Sequence, residues 1–170
     1  MSEAQLPSTK PADPAASRAD PAAISSAPGD ESLLLLAQEA AELPLISALT
    51  QSAVLRASGV AYDQRARRLV LLLNRYRWET NDQTRVQSAL RFESVTAVQR
   101  RGWASLDGAG ADATVADVAV LELLAFAYAD GAITANFGGG AALRISVECV
   151  DLVLEDISGP WRASREPQYD

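Results

Sequence analysis

Arg68-Leu69-Val70-Leu71-Leu72-Leu73-Asn74-Arg75-Tyr76-Arg77-Trp78 decides the fold class of this chain. Residues 69–73 are apolar at every position, and polar turn residues bracket the segment at 63–67 and 81–83. A short apolar run between turn signals reads as a strand, and one apolar on both faces reads as a central strand covered on both sides. Beyond Leu73 the pattern alternates. Asn74, Tyr76 and Trp78 project one way, Arg75 and Arg77 the other. With the body packed under the aromatics, the two arginines face solvent or a partner.

Downstream the β signals continue. Residues 85–93 alternate, with Val86, Leu90 and Phe92 on one side and Arg85, Arg91 and Glu93 on the other. Residues 95–101 follow after a short connection. Residues 102–116 are rich in Gly, Ala and Asp and read as a long mobile loop. Residues 117–128 fit a strand through Val118, Val120, Leu124, Phe126 and Tyr128, and a helix through Leu121, Leu124 and Tyr128. The hairpin signal Asp130-Gly131 favours the strand. Residues 132–137 and 143–147, joined by Gly138-Gly139-Gly140, make a second hairpin. Val150, Val153, Leu154 and Ile157 recur at three or four, so 148–157 reads as a short helix, ended by Gly159-Pro160. Trp161 then pins the C-terminus to the body.

Upstream, 54–57 and 60–62 are strand pieces broken at Ser58-Gly59. Residues 39–53 form a helix with Leu43, Ile46 and Leu49 on one face, and Pro44 is tolerated in its first turn. Residues 33–36, four leucines, suit a buried strand. Residues 1–31 hold five of the eight prolines and read as a disordered tail. The expected architecture is α+β, one domain over 32–170. It is mainly an antiparallel curved sheet or partly closed barrel of about seven to eight strands, with one N-terminal helix and one short C-terminal helix.

Composition narrows the chemistry. There is no histidine, so the commonest general base and metal ligand is missing. The one lysine is Lys10, which leaves 32–170 no amine for Schiff-base chemistry. The single cysteine, Cys149, has apolar neighbours and is expected buried and inert. The glycine run lies between antiparallel strands, where it serves a turn rather than a phosphate. Glu148, Asp151, Glu155 and Asp156 suit a solvated helix face better than a metal site. Glu79, Glu93 and Glu122, beside apolar strands and arginines, suit ion pairs better than acid–base catalysis. No cofactor is expected.

Charge is unevenly spread. The net charge is −7, yet ten of the fifteen Lys/Arg residues fall between Arg56 and Arg101. This basic middle either pairs with the acidic flanks or presents a cationic face. The candidate face is Arg75, Arg77, Arg91, Arg100 and Arg101, and its expected partner is an acidic protein or nucleic acid. The acidic balance disfavours nonspecific nucleic-acid binding. No secretory signal or apolar run of membrane-spanning length is visible, so a cytoplasmic location off the membrane is expected.

Four segments together resemble a bacterial family catalogued as domain of unknown function 2948. They are Leu72-Leu73-Asn74-Arg75-Tyr76-Arg77-Trp78-Glu79, Ser88-Ala89-Leu90-Arg91-Phe92, Val98-Gln99-Arg100-Arg101-Gly102 and Val147-Glu148-Cys149. The resemblance spans residues 33–165 and leaves out the proline-rich start. It implies a small, cytoplasmic, single-domain bacterial protein, and carries over no catalytic residue or substrate. Three functional readings stand. The first is a non-catalytic binding or adaptor module using the arginine face. The second is a structural subunit of a homo-oligomer, and the last an enzyme built from carboxylates and arginines.

Overall fold

The computed structural model describes residues 31–103 and 119–168. The expected tail, apart from Glu31, and the expected loop beyond Trp103 lie outside the described residues.

Eleven strands form one antiparallel sheet among the described residues. In chain order they are β1 (Leu34–Ala37), β2 (Val54–Arg56), β3 (Val60–Asp63), β4 (Arg68–Tyr76), β5 (Thr84–Phe92), β6 (Val95–Arg101), β7 (Val120–Ala129), β8 (Ala132–Phe137), β9 (Ala142–Val147), β10 (Leu152–Asp156) and β11 (Trp161–Arg162). The spatial order is β1-β10-β5-β4-β2-β7-β8-β9-β6, with β3 also on β4 and β11 also on β5. β1 and β6 end the path, so the sheet is open, not a closed barrel. It nevertheless folds over. Leu69, Leu71 and Leu73 of β4 and Leu90 and Phe92 of β5 share one buried cluster with Ile133 and Phe137 of β8 and Leu143 and Ile145 of β9. Register shifts between Val95 and Ala97 and between Leu123 and Ala125 bend β6 and β7, the local effect of a bulge.

The helix α1 (Leu43–Thr50) begins just inside the expected span and is shorter than expected. A short 3-10 turn, Ala40–Glu42, leads into it: Glu42 accepts the Glu39 backbone N–H at 3.0 Å, completing that turn's capping box, and Pro44 of α1 sits where no intrahelical donor is needed. Leu43 and Ile46 are buried one turn apart, and α1 lies chiefly against β7. The strand reading of 117–128 holds for β7. Asp130 and Gly131, with φ of 50° and 71°, turn β7 back onto β8.

Four expectations need correction. The expected helix over 148–157 is β10, slotted between β1 and β5. Leu152, Leu154 and Asp156 point inward at period two, and the spacing of three or four was a by-product of a short apolar run. The strand count rises to eleven, partly because 54–63 and the C-terminus contribute short pieces. Among the described residues β4 is covered on one face only. Its odd-numbered leucines are buried, while Leu72 is 41% exposed. Cys149 is exposed rather than buried, because it lies in the bend between β9 and β10 rather than in a strand. β11 does tie the C-terminus to β5, opposite Arg85, though Trp161 itself remains 41% exposed.

Candidate anion-binding groove

The arginines expected on one face occupy three different places. Period two along β4 runs from Leu69 through Leu71 and Leu73 directly to Arg75, which is therefore inside the sheet and 0% exposed. Its guanidinium grips Asp156 of β10 with two bonds, Nε to Oδ1 at 2.9 Å and Nη2 to Oδ2 at 2.7 Å. It also donates to Glu79 at 2.9 Å and 2.6 Å. Asp156 accepts further bonds from Ser88 Oγ (2.6 Å) and the Leu33 backbone N–H (3.1 Å). The buried charges are thus saturated with partners, the condition for tolerating them. Burial works against the ionised form of both groups. The two carboxylates outweigh it and hold Arg75 above the usual arginine value, and the Arg75 and Ser88 donors hold Asp156 below the usual carboxylate range.

Arg77 is also buried, at 3% exposure. It donates to Asp82 at 3.1 Å and to Thr84 Oγ1 at 3.3 Å, so its acid is the one in its own hairpin. The Thr80 and Thr84 hydroxyls hold Asp82 below its ordinary value. The expectation that Arg75 and Arg77 face outward fails because the leucine row carries Arg75 inside, while Asp82 and Thr84 close over Arg77 beyond the end of β4. Tyr76 and Trp78 pack on each other, ring centres 4.6 Å apart, and Arg85 lies 5.9 Å over the Tyr76 ring.

Arg91 projects from the outer face of β5, where Glu93 bridges it and Arg68, each at 2.8 Å. Glu148 pairs with Arg67 at 2.6 Å. Glu79 and Glu93 are thus committed to arginines, and the acids of 148–156 are spread over a bend and both faces of β10. Among the described residues no three His, Cys, Asp or Glu side chains come together as metal ligands. No described helix is long and apolar enough to cross a membrane.

Arg100 and Arg101 differ from these. They end β6 beside an open groove of about 630 Å³, lined by Gln99, Arg100, Arg101, Thr134, Ala142 and Arg144. Register explains the grouping. Gln99 lies opposite Arg144 on β9, Arg144 opposite Thr134 on β8, and Arg101 opposite Ala142. Arg101 and Arg144 are therefore diagonal neighbours on the outward face. Neither makes an ion pair or side-chain hydrogen bond among the described residues. Arg100 packs its guanidinium 5.6 Å over the Trp103 ring, whose indole N–H is fixed to the Ala142 carbonyl at 3.1 Å. The sequence reading missed Arg144, Thr134 and Gln99. Alternation within β9 put Arg144 outward, but nothing in the sequence paired β9 with β6.

Two cations on adjacent strands, with no acid between them among the described residues, repel each other. An anion in the groove would relieve that repulsion. Arginine forks offer it planar pairs of donors, and the Thr134 hydroxyl and Gln99 amide add neutral ones.

No curated protein and no solved structure matches the chain. A family model described as "Protein of unknown function (DUF2948)" matches residues 33–169, which takes in all of the described residues but the first two. The segments that carried the resemblance lie in β4, β5, β6 and the β9–β10 bend, and the chain belongs to the DUF2948 family.

Proposed function

We propose that the protein is a non-catalytic binding module that takes an acidic segment of a partner protein in the groove beside β6. The observation that carries this reading is the pair Arg101 and Arg144, which has no carboxylate partner among the described residues. Five other arginines, at 67, 68, 75, 77 and 91, each have a carboxylate within 3.1 Å. The groove suits a few extended residues rather than a duplex. The net charge of −7 repels a long polyanion while leaving this local cationic spot. Of the arginines expected to bind, Arg100 and Arg101 belong to the groove, Arg91 lies on another face, and Arg75 and Arg77 act as internal ions.

The test is the double replacement Arg101→Ala/Arg144→Ala, assayed by calorimetry and fluorescence anisotropy with a labelled hexaglutamate peptide. Wild type binds, more weakly as salt rises, and the double variant loses binding. Its stability stays within about 1 kcal/mol, because exposed charges without partners contribute little. Equal binding by the two proteins sinks the proposal. A single-stranded oligonucleotide that binds far more tightly than the peptide moves the site to nucleic acid instead.

A further inference from the structure

The leucine run of β4 asks for a cover on both faces, and the fold supplies one. On the outer face two rows cross four adjacent strands. The first is Leu36 of β1, Val153 of β10, Arg91 of β5 and Val70 of β4, and the second is Leu34, Glu155, Ala89 and Leu72. The outer face of a solvated antiparallel sheet is normally polar. Here six of the eight positions are apolar, and Leu34, Leu36 and Leu72 are 61%, 53% and 41% exposed. A contiguous apolar patch of this kind marks an interaction surface.

The two charged positions identify the occupant. Arg91 and Glu155 are diagonal corners of the central quartet, with Val153 and Ala89 at the other two. Glu155 makes no ion pair among the described residues. Such a patch is its own electrostatic complement. We propose that it packs against the same face of a second copy of this chain. A two-fold axis lying in the interface along the Val153–Ala89 diagonal exchanges Arg91 and Glu155. Each Arg91 then meets the other copy's Glu155, each Leu34 falls over the other copy's Val70, and Val153 and Ala89 lie on the axis. Strands about 4.8 Å apart, with alternate residues about 6.8 Å apart along each, set that diagonal about 35° from the strands. The two sheets cross at about 70°, toward the orthogonal class of sheet packing. The face is about 19 Å across, so each copy buries less than the roughly 800 Å² of a standard interface. Association is therefore reversible and concentration-dependent.

Sedimentation equilibrium of the full chain, up to about 300 µM, reads this directly. The expected result is a monomer–dimer equilibrium that Glu155→Arg shifts to monomer at least tenfold. Arg91→Glu does the same, and the double charge swap restores the dimer. Circular dichroism checks that each variant is folded. Because Arg91 also holds Glu93, Leu72→Glu serves as an independent disruptor on the same face. A wild-type chain that stays monomeric throughout overturns the proposal, as does a dimer indifferent to both Glu155→Arg and Leu72→Glu. A monomer that dimerises only after removal of residues 1–30 also overturns it, by assigning the face to the chain's own N-terminal segment.

Discussion

Arg75 and Arg101 carry the same charge on neighbouring parts of the sequence, but their replacement by alanine has different consequences. Arg75→Ala strands Asp156, whose side chain is 1% exposed, together with Glu79. The expected cost is about 3–5 kcal/mol in urea unfolding, the usual loss when one partner of a buried ion pair is removed. Arg101→Ala is expected to cost about 0–1 kcal/mol. The same cluster sets an acid limit. Asp156 has its folded-state pKa lowered from the ordinary 3.8, so its stabilisation is complete above that value and is lost as pH falls through the lower folded value. Thermal midpoints should be insensitive to Asp156 between pH 5 and 7 and fall below about pH 4, with a shallower acid limb in Asp156→Asn. An identical limb in that variant would assign the acid sensitivity to other carboxylates. The position of Arg75 was legible in the sequence, since counting by twos from Leu69 reaches it. The aromatics Tyr76 and Trp78 pulled the reading to the opposite face. Arg77 was not legible in this way, because it lies past the end of β4 and its burial depends on Asp82 and Thr84 closing over it.

Short elements carry much of this fold, and their connections decide whether they form. Gly102 follows β6 with φ of +72°, and a Cβ there would lie 3.1 Å from both Ala141 Cα and the Gly140 carbonyl oxygen. Gly159 meets nothing within 4 Å. Gly102→Ala is therefore expected to lower stability by about 1–3 kcal/mol, and Gly159→Ala to change it little. Chemical denaturation of the two variants compares them, and equal midpoints would mean that the β6–β9 end is slack. The hairpins of β7, β8 and β9, and the strands β4, β5 and β6, were legible because alternation and turn residues agreed. β10 was not. Its five residues satisfy helix and strand spacing alike, and only the two neighbours that bond to it on either side choose the strand.

Across the whole molecule, β7 pairs with β2 through its first residues and with β8 through the rest, and α1 packs on it. Neither half of the sheet can then lose its packing alone. Far-ultraviolet dichroism and tryptophan fluorescence should report one coincident transition, and two separated midpoints would show the halves to be independent. Pairings between distant strands, including the β6–β9–β8 alignment that assembles the groove, were not legible, since no local pattern records which strands become neighbours. The most distant pairing also governs how the chain is made. Leu33 and Asp156, 123 residues apart, tie β1 to β10, the only strand on which β1 lies among the described residues. During synthesis at about 5–20 residues per second, the leucine run waits roughly 6–25 s for β10 to leave the ribosome. For that interval four consecutive leucines are exposed without their template, the point at which a nascent chain most needs a chaperone. A message truncated before codon 152 yields a product in which that need never ends.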